Sequence, residues 1–164
     1  MRVVAISGSL DPLSANSALV RAAASHDQEV DVHVWEGLAD VPPFRPDVDG
    51  DEHVASLRRA VGSADAVLIA TPEYAGGMPG MLKNALDWLV GSGELYGKPL
   101  VVVSAAPSKG RGGNARRWVE EVARMQGAVV VDSFTVPLPR TSPAAAVRDA
   151  SREVMRDVLR ALDR

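Results

Sequence analysis

A chain of 164 residues, 46% of them hydrophobic and 24% charged, is long enough to bury a core as one domain, so a single domain over residues 1–164 is expected. With no cysteine, disulfides, thiolate metal sites and cysteine nucleophiles are excluded, and redox chemistry would need a bound cofactor. A net charge of −3 argues against nucleic acid as a partner, and the absence of a signal-like start or a membrane-length apolar run gives the expectation of a cytoplasmic protein without a membrane partner.

In chain order, Arg2 to Ile6 is short and β-branched and predicts a buried first strand. A polar loop, Ser7 to Ser17, follows, and then a helix from about Asn16 to Ser25 with Leu19, Val20 and Ala23 as its apolar stripe. Val30 to Trp35 predicts a second strand with Val30, Val32 and Val34 on one face. The proline-rich stretch Glu36 to Asp51 is irregular, and a loop of that length inside a domain is expected to be functional or to lie at an interface. Glu52 to Ser63 predicts a helix carrying Val54, Leu57 and Val61.

Ala66 to Thr71 predicts a fully buried parallel strand. A loop with Gly76 and Gly77 leads into a helix opened by Pro79, with Leu82, Leu86 and Leu89 at helical spacing. Leu100 to Ser104 is a fourth strand, followed by a glycine-rich loop, Ala105 to Gly113. A helix from Asn114 to Met125 puts Ala115, Trp118, Val119 and Val122 on one face and stops at Gly127. Arg116 and Arg117 read as its solvated side. Val129 to Val136 is a fifth strand. Ser142 is expected to cap a last helix, with Pro143 just inside it and Val147, Val154, Val158 and Leu162 as its stripe.

Strands alternating with helices predict an α/β fold with a parallel sheet and right-handed crossovers. Ligands of such sheets bind beyond the carboxyl ends of the strands, where the loops after strands one, three and four lie. In the first loop, Ser9, Ser14, Asn16 and Ser17 offer hydrogen-bond groups beside the positive end of a helix, which suits a phosphate. A plain helix cap by Ser14 or Asn16 is the alternative. Neither a Walker loop nor G-x-G-x-x-G is present. His26, His33 and His53 have no metal-ligand spacing, so no metal is expected.

The stretch PEYAGGMPGMLKNALDW, Pro72 to Trp88, resembles the PEYN-x-S-x-PG-x-LKNA-x-DW signature of the NAD(P)H-dependent FMN reductase family, which includes quinone, azo-dye and chromate reductases. The first loop resembles the family's GS-L-R-x-x-S-x-N pattern at Gly8, Ser9, Leu10, Ser14 and Asn16. Three positions depart from the family pattern. Asp11 stands where the family usually has arginine, Ala75 where it has asparagine, and Gly77 where it has serine.

The resemblance implies a flavodoxin-like, doubly wound five-stranded sheet in the order 2-1-3-4-5 with helices on both faces. It implies FMN as cofactor and NAD(P)H as hydride donor, with hydride passing by way of the flavin to a quinone, azo compound, free flavin or similar acceptor. Ser9, Leu10, Ser14, Asn16 and Ser17 would hold the phosphate. Pro72, Glu73, Tyr74, Ala75 and Gly76 would lie around the flavin ring, with Ser104, Gly110 and Gly112 at its far edge. No side chain is expected to be catalytic, because the flavin carries the chemistry. Glu73 is expected to be structural or to contact a partner subunit, and Lys83, Asn84 and Asp87 to be structural. A homodimer or homotetramer is implied, with the Glu36 to Asp51 segment contributing near the flavin. The three departures leave one alternative open, a flavodoxin-like binding or regulatory module with weak or no FMN affinity. A one-electron carrier of flavodoxin type is a further alternative, and the near-neutral charge argues against it.

Overall fold

Five parallel strands pair in the order β2-β1-β3-β4-β5, with β1 at Arg2–Ser7, β2 at Asp31–Trp35, β3 at Ala66–Ala70, β4 at Pro99–Ala106 and β5 at Val129–Pro137. The structure, a computed structural model, describes residues 1–25 and 30–162, with side chains to residue 160. His26 therefore lies outside the described residues, and so does the side chain of Leu162.

The helices are α1 (Ala15–Ala23), α2 (Glu52–Gly62), α3 (Gly80–Asp87), α4 (Gly113–Met125) and α5 (Ala144–Leu162), with a short 3-10 turn at Gly37–Asp40. The two-residue period of the strands sorts their side chains into two cores. Val3, Ala5, Leu68, Val101 and Val103 pack with α1 and α5. Val4, Ile6, Val67, Ile69, Leu100 and Val102 pack with α2, α3 and α4. All five residues of β3 are buried, as a strand covered on both faces requires.

Several boundaries differ from the sequence expectation for local reasons. Helix α1 starts at Ala15 because the Ser14 side chain accepts the Ser17 N–H and caps it there. Pro79 is the N-cap of α3 rather than its first residue. Pro143 likewise stands outside α5: its carbonyl accepts the Val147 N–H, and Ser142 instead closes a turn onto Pro139 O.

Trp118 is not core. Ala115, Val119 and Ala123 supply the buried line of α4, and Trp118 sits at its edge, 52% exposed. Arg116 is not merely solvated either, because it donates to Ser133 and Thr135 on β5. The end of α4 falls as expected. Gly127 N–H bonds Arg124 O and Ala128 N–H bonds Ala123 O, the paired bonds of a glycine stop.

The proline-rich stretch after β2 is strapped to α3. Asn84 Oδ1 accepts the Phe44 N–H at 2.8 Å, and its Nδ2 donates to Pro42 O at 2.9 Å. Trp88 Nε1 donates to the same carbonyl at 2.8 Å, and the Phe44 ring meets the Trp88 ring edge-on at 5.1 Å. Lys83 and Asp87 form an ion pair one turn apart. Asn84 and Trp88 of the signature stretch thus hold the proline-rich segment in place.

Candidate functional site

Beyond the carboxyl ends of β1, β3 and β4 three loops meet. Asn16, 3% exposed, joins two of them: its side chain donates to Ala105 O at 3.2 Å and accepts the Ala105 N–H at 2.8 Å. Asn16 therefore ties the first loop to the end of β4 and has its amide committed to backbone.

The other hydroxyls of the first loop bond one another. Ser17 Oγ donates to Asp11 O at 3.0 Å and shares a 2.9 Å hydrogen bond with Ser7 Oγ. Ser14 Oγ donates to Ser17 Oγ at 2.9 Å and accepts the Ser17 N–H at 3.0 Å. Ser9 Oγ accepts the Asp11 N–H at 3.2 Å and lies 3.4 Å from the Tyr74 hydroxyl. Leu10 stays exposed at 53%. Ser14 thus caps α1, the alternative that the sequence offered, and the loop lies beside the start of that helix.

The signature loop is a tight reversal. Tyr74 and Gly77 exchange two backbone hydrogen bonds of 3.0 Å each. Ala75 has φ 50° and Gly76 φ 75° between them. Positive φ at both central residues is the type I′ pattern, which Asn-Gly fills best. The departure at Ala75 therefore costs backbone strain as well as a polar group. The departure at Gly77 has a visible partner: a Cβ there would meet the Trp118 ring at 2.9 Å. The edge of α4 has taken the space of the missing serine side chain.

Glu73 reaches from the signature loop to the third. Its Oε2 accepts the N–H groups of Asn114 at 3.0 Å and Ala115 at 3.3 Å, in the first turn of α4. The N-cap residue there is Gly112, which has no side chain to cap with. A carboxylate supplied from another loop does that work and matches the helix dipole. This geometry gives Glu73 a structural task at the start of α4.

A crevice of about 220 Å³ opens between these two loops, lined by Pro72, Glu73, Ser104, Ala105, Arg111 and Gly112 among others. Ser104 is 1% exposed, and its Oγ has no hydrogen-bond partner among the described residues. A buried hydroxyl without a partner is costly unless something supplies one. Gly112 makes room for it: at φ 82°, a Cβ there would lie 2.2 Å from Ser104 Oγ. Gly76 and Gly110 face open space. A second crevice, about 280 Å³, lies on the other side of the first loop, against Leu10, Pro12, Arg21, Trp35, Glu36 and Leu38. No group of His, Asp or Glu among the described residues could hold a metal.

Of the residues expected at the site, Ser9 and Tyr74 meet, Asn16 meets the end of β4, and Pro72, Glu73, Ser104 and Gly112 share one crevice. Sequence reasoning missed Trp118 under the signature loop. It also missed Arg140, whose Nη2 is 3.0 Å from Asp11 Oδ2. No local pattern announces either contact.

A doubly wound sheet in this order, with its polar loops gathered at the carboxyl strand ends, is the flavodoxin-like fold. The family model for NADPH-dependent FMN reductase matches residues 1–142, and the chain belongs to that family. Quinone reductase of Escherichia coli K12 is 35% identical, over 80% of this chain and 74% of its own. An NAD(P)H-dependent FMN reductase of Pseudomonas aeruginosa is 31% identical, over 99% of this chain and 93% of its own. Among solved structures, the flavoenzyme NAD(P)H:(acceptor) oxidoreductase FerB of Paracoccus denitrificans superposes with a TM-score of 0.77 at 26% identity. It covers 99% of this chain and 95% of that one. Family and relatives make the protein an oxidoreductase that works with FMN and NAD(P)H.

Proposed function

We propose that the chain takes electrons from NAD(P)H and delivers them to a quinone or a similar small acceptor such as an azo compound or free flavin. FMN, when bound, supplies the hydride chemistry. The protein binds and orients it. The observation that carries this reading is the buried, unpartnered Ser104 Oγ lining a crevice between two loops at the strand ends.

The start of α1, with Ser9, Leu10, Ser14 and Ser17, takes the phosphate, and Asn16 acts by pinning that loop to Ala105. Pro72, Glu73, Tyr74, Ala75 and Gly76 form one wall for the ring. Ser104, Gly110 and Gly112 form the other. Gly76 meets nothing within 4 Å of a built Cβ, so the backbone there is open to close approach. Glu73 keeps the two walls in register by bonding α4.

We take the protein to work as a cytoplasmic homodimer or homotetramer. Exposed aromatic and apolar side chains at Tyr74, Trp118, Met125 and Tyr96 support association. Among the described residues no helix is long and apolar enough to cross a membrane.

The test is consumption of NAD(P)H by protein preloaded with FMN and desalted, with 1,4-benzoquinone as acceptor. Turnover that needs both the preloaded flavin and the quinone is expected. Consumption no faster than a protein-free FMN control would overturn the proposal.

A further inference from the structure

Asp11 puts a carboxylate in the loop that faces the positive end of α1, where repulsion of a phosphate is expected. The structure shows how this charge is held. Asp11 Oδ1 accepts the Leu13 N–H at 2.8 Å, which fixes the carboxylate. Its Oδ2 lies 3.0 Å from Nη2 of Arg140. Asp11 O receives the Ser14 N–H and the Ser17 hydroxyl, both at 3.0 Å, so the same residue anchors the loop.

Arg140 arrives from the far end of the chain by a set of backbone bonds. Leu138 N–H bonds Ala106 O at 2.8 Å at the end of β5, and Ser142 N–H closes a turn onto Pro139 O at 2.9 Å, with Arg140 within it. Ala105, next to Ala106, is held by Asn16 of the first loop. Among the described residues two arginines touch the first loop. The Arg21 guanidinium donates to Pro12 O and lies 3.9 Å from Glu36, which commits it. Arg140 uses one nitrogen on Asp11 and has no other partner among the described residues. A guanidinium carries five N–H donors. The remainder stay free for an anion.

We propose that Arg140 is the cation of the phosphate site, carried to the first loop from the turn after β5 and held there by Asp11. The charge arrangement is displaced rather than lost: the loop carboxylate is neutralised, and the arginine that neutralises it has the planar fork that suits phosphate oxygens. This rests on the flavin reading above, since the anion in question is the FMN phosphate.

The experiment compares FMN with riboflavin, which has the ring and lacks the phosphate, by fluorescence quenching on the full chain. Arg140→Gln should weaken FMN by about tenfold or more, the scale of one lost hydrogen bond to a charged group, and leave riboflavin unchanged. Its FMN affinity should also fall less steeply with salt. The charge-swapped pair Asp11→Arg with Arg140→Asp should recover most of the loss. Circular dichroism checks that each variant is folded. Wild-type affinity for FMN in Arg140→Gln, or equal weakening of FMN and riboflavin, overturns the assignment while the flavin reading stands. A wild-type protein that binds neither molecule overturns both.

Discussion

Replacing Ala75 by asparagine relieves the one non-glycine residue with positive φ among the described residues. Ala75 holds φ 50° because Tyr74 and Gly77 are already locked by two 3.0 Å hydrogen bonds, which leave only a tight reversal between them. A Cβ in the left-handed region costs about 1–2 kcal/mol, and asparagine offsets part of this with a local side-chain hydrogen bond. A gain of about 0.5–1 kcal/mol is therefore expected, which for a chain of this length raises Tm by roughly 1–4 °C. Glycine at this position removes the strain entirely but enlarges the unfolded ensemble by about 0.4–1 kcal/mol, so its gain should be close to that of asparagine. Valine, with its branched Cβ, should lower Tm. Calorimetric melts of the ligand-free variants should place Asn and Gly above Ala, and Val below it. An asparagine variant that melts at or below the parent, together with a valine variant that costs nothing, would show that the turn does not carry this strain.

Glu73→Ala removes the cap of α4 and should cost about 1–2 kcal/mol, from the lost cap bonds and the lost dipole partner. Glu73→Gln keeps an acceptor and should cost about half of that, read from thermal melts. Gly77→Ser pushes a Cβ toward ring carbons of Trp118 at 2.9 and 3.1 Å, and should cost about 1 kcal/mol. In a Trp118→Ala background the same change should cost nothing, which a double-mutant cycle in urea measures. Ser104→Ala deletes a buried hydroxyl that has no partner. The ligand-free protein should gain about 1 kcal/mol, while the further stabilisation on adding FMN shrinks. A ligand-free loss would mean that the hydroxyl is already satisfied.

The sheet was legible wherever one face or both had to be apolar. Ala66 to Ala70 read as a strand buried on both sides, and Leu82 and Leu86 as the inward face of a helix, and both are so. Strand order was not in the periodicity and came from the resemblance of the loops. The site was legible as a place, because polar and glycine-rich loops follow β1, β3 and β4. Its internal wiring was not.

Trp118 has the spacing of a core residue, yet α4 turns its edge toward the signature loop, and what a tryptophan covers at an edge is set by tertiary packing. Asn16 looks like a ligand residue by type, but its partner, Ala105, lies on a strand far along the chain. Arg140 is invisible for the same reason. The resemblance implied a structural or subunit-contact role for Glu73, and only the fold shows that it caps α4, because Gly112 before that helix left the cap to another loop.

The measurement that bears most directly on the whole account is an absorbance spectrum of the purified protein after incubation with FMN and gel filtration. Flavin bands should travel with the protein through the column and bleach when NADPH is added without oxygen. A colourless protein fraction, with all the flavin eluting late, would contradict the assignment of these three loops to a flavin.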